Sequence, residues 1–203
     1  MRKIIVGAFV SLDGVMQSPG GPGEDTSNGF GLGGWIVPLF DDVVAEAMGV
    51  LMGGSFDLLL GRKSYDILGA HWPQAAKEGD PTGIQFNAIT KYVASRNPDA
   101  DMHWQNSQHL GVDPIAALRE IKQGDGPDLI TQGSPDFVQT LLGSDVVDEM
   151  TLMVFPIVLG TGKRLWRDGA MATGLELIDS KSSPKGVVIS RYRRRGPIER
   201  GSF

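Results

Sequence analysis

The sequence contains no cysteine. That absence excludes a disulfide framework, a thiolate nucleophile and any Cys-ligated zinc or iron–sulfur centre. Histidine is scarce as well: His71, His103 and His109 are the only three. They show no metal-ligand spacing and read most simply as surface or loop residues, so no metal is expected. No apolar run approaches the ~20 residues needed to cross a bilayer. The opening Met1 to Val10 has a charged front and a short apolar run, but Asp13-Gly14 stands where a secretory cleavage site needs small residues. A cytoplasmic location without a membrane partner is expected. An excess of basic charge is also missing. Nineteen Lys and Arg against 24 Asp and Glu leave a net charge of −5, which argues against general nucleic-acid binding. The one basic cluster, Arg191, Arg193, Arg194 and Arg195, reads as a solvated strand end, with a phosphate patch as the sharper alternative.

What is present is an ordinary globular composition. Hydrophobic residues make up 41% of 203 and charged residues 21%, the usage of one domain with a sizeable core. Lys3 to Val10 is a nearly continuous apolar run, as in strands buried on both faces. A loop rich in Gly, Pro, Ser and acids runs from Gln17 to Gly34, long enough to serve as a functional lid. Helical patterns follow at Pro38 to Val50, Arg62 to Leu68, Pro114 to Lys122 and Pro135 to Leu142. Strand patterns fall at Asp57 to Leu60, Lys91 to Ser95, Leu129 to Gln132 and Glu149 to Leu159, the last interrupted by Pro156. Leu175 to Asp179 and Val187 to Arg193 read as an antiparallel pair. Strands alternate with helices before a β-rich end. That order predicts a single α/β sandwich, with a mostly parallel mixed sheet and antiparallel C-terminal strands.

Three segments share one physical character. Leu60-Gly61-Arg62-Lys63-Ser64 is a strand end, a glycine and a cationic helix start. Gln132-Gly133-Ser134-Pro135-Asp136 is a strand end, a glycine and a helix start with Ser134 as expected cap. Ser95-Arg96 closes a strand with a hydroxyl and a guanidinium. In a parallel sheet such ends share the rim where open α/β sheets bind ligands. Helix N-termini favour phosphate, glycine permits close backbone approach, and Arg grips phosphate bidentately. Any one turn has a purely geometric explanation. Together they favour an anionic ligand with more than one phosphate, although Asp136 opposes this mildly. The fingerprint G-x-G-x-x-G and its ribose-reading acid are absent, so an Arg at a strand end suits a 2′-phosphate, and NADPH is preferred over NADH. A Walker A pattern and a G-x-S-x-G elbow are absent too, leaving phosphate-ester and serine-hydrolase chemistry unsupported.

At these residues the chain resembles a known family. Leu60-Gly61-Arg62-Lys63-Ser64-Tyr65, Val93-Ala94-Ser95-Arg96 and Gly133-Ser134 are similar to the cofactor segments of dihydrofolate reductases. Ser11-Leu12-Asp13-Gly14, Asp148-Glu149 and Pro156 to Leu165 resemble a sister group. That group comprises the C-terminal reductase domain of the riboflavin-biosynthesis deaminase/reductase and its stand-alone bacterial relatives, which Gly33-Gly34-Trp35 also resembles. The resemblance runs from about Arg2 to Arg193. It implies a dihydrofolate-reductase-like α/β sandwich and NADPH as cofactor. It also implies that Gly61, Arg62, Lys63, Ser64, Ser95 and Arg96 hold the adenosine phosphates, and that the turn of Gln132, Gly133, Ser134 and Asp136 holds the pyrophosphate. The first strand and Leu12-Asp13-Gly14 are then expected beside the nicotinamide. Two departures stand out. Dihydrofolate reductases carry two glycines where this chain has Gln132-Gly133, and a pterin-binding carboxylate whose equivalent position falls near Ala45.

The activity expected is hydride transfer from NADPH to a small heterocycle, either pterin-like or ribosylaminopyrimidine-like. The alternative is a non-catalytic NADP(H)- or flavin-binding module with the same cleft. Hydride transfer asks the protein mainly to position, exclude water and stabilise charge. Asp13 and Asp42 are the candidates to orient a substrate amine or hydroxyl or to relay a proton, with a plain turn role competing for Asp13. Phe30 and Trp35 are expected to cover the substrate ring as the 17–38 loop closes, with a packed position on the core competing for Trp35. Apolar strand surface at the C-terminal end suggests a homodimer.

Overall fold

The sheet is assembled from strands whose side chains alternate between two hydrophobic cores. In the computed structural model, which describes residues 1–202, β1 spans Ile4–Ser11 and sits near the centre. Ile4, Val6, Ala8 and Val10 enter the core on one face, while Ile5 and Phe9 pack on the other. That period of two is what a strand imposes on its side chains. Around β1 lie β2 (Phe56–Gly61), β3 (Lys91–Ala94), β4 (Ser107–His109), β5 (Asp128–Gln132), β6 (Glu149–Phe155), β7 (Gly174–Ser182) and β8 (Val188–Gly196). The spatial order is β4-β3-β2-β5-β1-β6-β8-β7. Every pairing from β4 to β6 is parallel, and β8 and β7 add antiparallel to the β6 edge. The expected mixed sheet with antiparallel C-terminal strands is thus what forms.

The helices split between the two faces. Leu118 of α4 (Pro114–Gln123) and Phe137, Val138 and Leu141 of α5 (Pro135–Leu142) pack on the face of Ile4 and Leu129. Helices α1 (Asp42–Met52), α2 (Arg62–Lys77) and α3 (Pro81–Ala88) cover the opposite face. There Tyr65 and Phe86 meet Leu58, Leu60 and Val93. Fully burying each such side chain stabilises the fold by about 1.5–3 kcal/mol. Among the described residues no helix is long and apolar enough to cross a membrane.

Several boundaries differ from the sequence reading for definable reasons. The first helix begins at Asp42, not Pro38, because Val37–Leu39 form a 3-10 turn and the Asp41 carboxylate accepts from Val44 N at 3.1 Å as the cap. Helix α2 continues past Leu68 because Gly69 packs close under His103 and Trp104, where a Cβ would meet His103 Nε2 at 2.9 Å. Strand β6 ends before Pro156, which has no N–H for a ladder. The basic cluster lies on β8, where Arg191 pairs with Asp179 at 3.3 Å and Arg195 with Glu199 at 3.0 Å. These pairs fit a solvated strand end.

Arg2 fixes the entry to β1. Its side chain is 6% exposed and is ion-paired with Asp57 of β2, whose other oxygen accepts from Thr90 N at 3.1 Å. Removing one partner strands a buried charge. Arg2→Met should therefore destabilise the protein by about 3–5 kcal/mol in urea titration, with part recovered in Arg2→Met/Asp57→Leu. A loss below about 1 kcal/mol contradicts this role.

Candidate functional site

The order of the strands dictates the order of the site. Because β3, β2, β5 and β1 run parallel, the turns after β3, β2 and β5 open on one rim, beside the C-terminal half of β1. Three strand spacings separate β3 from β1, about 14 Å. Along this rim runs a cleft with a volume of about 1020 Å³. At one end it is lined by Ser95, Arg96 and Asn97 with His71 and Trp72, and by Arg62, Lys63 and Ser64. The middle is lined by Gln132, Gly133, Ser134 and Asp136. The far end is apolar, built from Gly7, Ala8 and Phe9 of β1 with Met16 and Ile36. All ten residues singled out in the three turns therefore meet on one cavity.

Two glycines in these turns are required by contact and conformation. Gly61 N donates to Ser134 Oγ at 2.8 Å, and a Cβ at Gly61 would lie 2.6 Å from that oxygen. Gly133 adopts φ +109°, which side chains disfavour. Ser134 itself sits at φ 61°, and its hydroxyl serves Gly61 rather than capping α5. The expected serine cap is thus replaced by a bond that ties the β2 and β5 turns together. The hydroxyl's partner lies 73 residues away, beyond the reach of local pattern.

The cations of the rim are not equivalent. Arg62 is held by Asp66 at 2.7 Å and by the Asp101 carbonyl at 2.8 Å. Lys63 is held by Asp25. Asp136 is held by Arg167. Arg96 is exposed and makes no ion pair among the described residues. Ser95 Oγ accepts from Asn97 N at 3.1 Å, which shapes the turn. Gln132 Nε2 donates to Met52 Sδ at 3.1 Å.

The long loop after β1 forms the other wall. Asp25 is buried and receives both Lys63 from α2 and Lys163 from the segment after β6, the latter at 2.9 Å. Burial works against the Asp25 charge, but bonds from Lys63, Ser27 and Lys163 outweigh it and hold the carboxyl well below the usual range. Gln17 reinforces the wall, its Oε1 accepting from Lys163 N at 3.0 Å. Sequence reasoning named none of Gln17, Glu24, Asp25 or Lys163 as a site residue, although Lys163 lies in the Pro156 to Leu165 segment that carries the resemblance. The only local signals were an acid pair inside a Gly/Pro-rich loop and a lysine after Gly160-Thr161-Gly162.

Four other candidates lie off the cleft. Trp35 and Phe30 are 8% and 4% exposed and belong to the core beneath the loop. Trp35 Nε1 donates to the Gln17 carbonyl at 2.8 Å, and its ring meets Phe155 edge-on at 5.5 Å. Both hold the loop down from below, which corrects the expectation that they cover a substrate ring. Asp42 is exposed in the first turn of α1, outside the cleft lining. Asp13 also lies outside the lining and is consumed by structure. It accepts from Ser11 Oγ at 2.7 Å, from Leu159 N and Gly160 N at 3.0 and 2.9 Å, and from Arg164 at 3.2 Å. Burial opposes its charge, yet these bonds prevail and hold the carboxyl well below the usual range. The competing turn role is the one its contacts fit.

Asp25→Asn should raise amide hydrogen exchange across residues 17–34 while leaving β1 protected. The Asp25 contribution is fully present above the ~3.9 of an unfolded aspartate and is lost as pH falls through the lower folded value. Wild-type loop protection should therefore persist at pH 4. Equal protection in Asp25→Asn at pH 7 contradicts the clamp.

The chain is similar to known proteins over nearly its whole length. Residues 2–189 match the model of the RibD C-terminal domain family. The uncharacterized protein YyaP of Bacillus subtilis (strain 168) is 25% identical over 202 residues, covering 96% of each chain. A solved protein of Shewanella sp. PV-4 assigned to riboflavin biosynthesis superposes with a TM-score of 0.66 at 20% identity, over 95% of this chain and 99% of that one. A pyrimidine reductase-like protein of Corynebacterium diphtheriae gives 0.61 at 16% identity, over 95% and 92%. Dihydrofolate reductase of Enterococcus faecalis, complexed with NADP(H), gives 0.60 at 12% identity, over 95% and 96%. With its dihydrofolate-reductase-like fold and a family match over nearly its whole length, the chain belongs to the RibD C-terminal domain family.

Proposed function

We propose that the protein is an NADPH-dependent reductase of a small heterocycle, either pterin-like or ribosylaminopyrimidine-like. The observation that carries this reading is the polarity of a single cleft. Arg96 and Arg62 stand at one end, glycine turns line the middle, and Gly7, Ala8, Phe9, Met16 and Ile36 close the other. A dinucleotide has the same sequence of parts: a phosphorylated adenosine, a pyrophosphate and an aromatic ring. The residues present fit such a group. Gly133 at φ +109° beside Ser64 leaves backbone open to phosphate, and the Trp72 indole N–H, at the cationic end, is buried without a partner among the described residues. Arg96 would hold the 2′-phosphate, and Ser64, Gly133 and Ser134 the pyrophosphate. Bound there, the reduced nicotinamide supplies a hydride. The chain's own part is to hold the acceptor against Ala8 and Phe9 and to exclude water with the 17–34 wall. The family membership and the NADP(H) complex of the Enterococcus dihydrofolate reductase support the same reading.

The position of Asp42 favours a second reading, a non-catalytic NADP(H)- or flavin-binding module. Neither Asp42 nor Glu46, the acid adjacent to the expected pterin-binding position and paired with Lys181 at 2.7 Å, lines the cleft. NADPH oxidation with dihydrofolate or an aminopyrimidine ribitol phosphate as acceptor separates the two readings. The proposal also includes a homodimer, supported by exposed Leu177 on the outermost strand β7 and exposed Val188 at the start of β8. Sedimentation should give twice the chain mass.

Calorimetry should show NADPH binding that Arg96→Ala weakens by at least tenfold, with NADH affinity changed less than threefold. Gly133→Val should abolish binding of both. Equal losses for the two cofactors in Arg96→Ala, or unchanged affinity in Gly133→Val, contradict the placement.

A further inference from the structure

Reduction of a carbon–nitrogen double bond needs a proton as well as a hydride, and neither Asp13 nor Asp42 lines the cleft to give one. The cleft wall carries three other carboxyl groups: Glu24, Asp25 and Asp136. Asp25 is committed to two lysines, and Asp136 is exposed and paired with Arg167. Glu24 has no ion pair among the described residues, and its Oε2 accepts from the backbone N–H of Gly20 at 2.7 Å. Gly20 follows Pro19, whose carbonyl receives Ile36 N at 3.3 Å, so the Glu24 carboxyl stands on the cleft wall beside the chain segment that carries Ile36.

We propose that Glu24 is the catalytic proton donor of this site, giving its carboxyl proton to the nitrogen of a C=N bond in the heterocyclic substrate. The proposal rests on the reductase reading. The carbon gains a hydride drawn from a reduced nicotinamide dinucleotide, and the C=N π pair moves to nitrogen. Nitrogen forms its N–H bond with the proton released from Glu24, and solvent water reprotonates the carboxylate. The environment suits a group that keeps its proton. Burial pushes the Glu24 carboxyl up, the Asp25 charge adds to this, and the amides of Gly20 and Gly21 oppose it without reversing it. The charged groups around it are Asp25 on its own loop, with Lys63 of α2 and Lys163 of the segment after β6 both drawn onto Asp25. An upward shift of this kind favours the protonated carboxyl that a general acid needs.

The test compares wild type with Glu24→Gln. Carbon-13 NMR of glutamate-labelled protein should show one carboxyl resonance titrating above the ordinary ~4.3 and missing from Glu24→Gln. A resonance titrating at or below the ordinary value overturns the proposal. NADPH affinity by calorimetry should agree within twofold between the two proteins. A tenfold loss in Glu24→Gln makes Glu24 a cofactor contact and overturns the proposal. Failure of wild type itself to bind NADPH is instead the failure of the reductase reading. With dihydrofolate and aminopyrimidine acceptors, wild-type kcat should fall as pH rises through the Glu24 titration. Glu24→Gln should lose about 10²–10⁴-fold in kcat and that pH dependence with it. A variant within threefold of wild type, or one keeping the pH profile, overturns the assignment.

Discussion

Parallel pairing of β3, β2, β5 and β1 is the constraint on which the site depends. Parallel neighbours must begin at the same edge of the sheet, so their ends emerge together at the opposite edge, with helices starting just beyond. Turns roughly 30 to 70 residues apart in sequence become neighbours a strand spacing apart in space. The buried cores on both faces keep that order rigid. A slip of one residue in β5 would exchange Leu129 and Ile130 between the two cores, so its register is strongly held. The gradient from cationic to apolar along the cleft is thus a consequence of strand order.

A second constraint closes the cleft from above. The loop after β1 is rich in glycine, with little apolar surface of its own, and it is ordered by a few long-range contacts. Trp35 and Phe30 anchor it to the core from below. Asp25 anchors it across the opening by drawing in one lysine from α2 and one from the segment after β6. A buried carboxylate receiving two cations is strongly held in the ionised form, and losing the carboxylate leaves the largely buried Lys163 charge without compensation. The same arrangement leaves Glu24, one residue earlier, as the cleft acid without a cation. Two adjacent carboxyl groups in one loop thereby acquire opposite tendencies toward the proton.

Much of this was legible in the sequence where the signal was local. The apolar run of β1, the glycine turns after β2 and β5, and the capping of α4 by Asp113 depend on neighbours a few residues away. Helix α3 and strand β4 were not foreseen, since eight and three residues carry too little periodicity to stand out. The pairing of Gly61 with Ser134 and the double pairing of Asp25 span 73 residues and, to Lys163, 138 residues. No spacing rule reaches that far. Aromatic residues in the loop drew attention as ring covers because their size is conspicuous. The structure spends them on anchoring, while the less conspicuous Glu24, Asp25 and Gln17 form the wall.

The central claim is that one polar-to-apolar cleft receives a phosphorylated dinucleotide in a single direction. A crystal structure of the protein grown with NADPH tests it most directly. The account predicts the 2′-phosphate against Arg96, the pyrophosphate in the Gly133–Ser134 turn and the nicotinamide beside Ala8 and Phe9. A nucleotide bound outside this cleft, or one reversed with its nicotinamide beside Arg96, would contradict it.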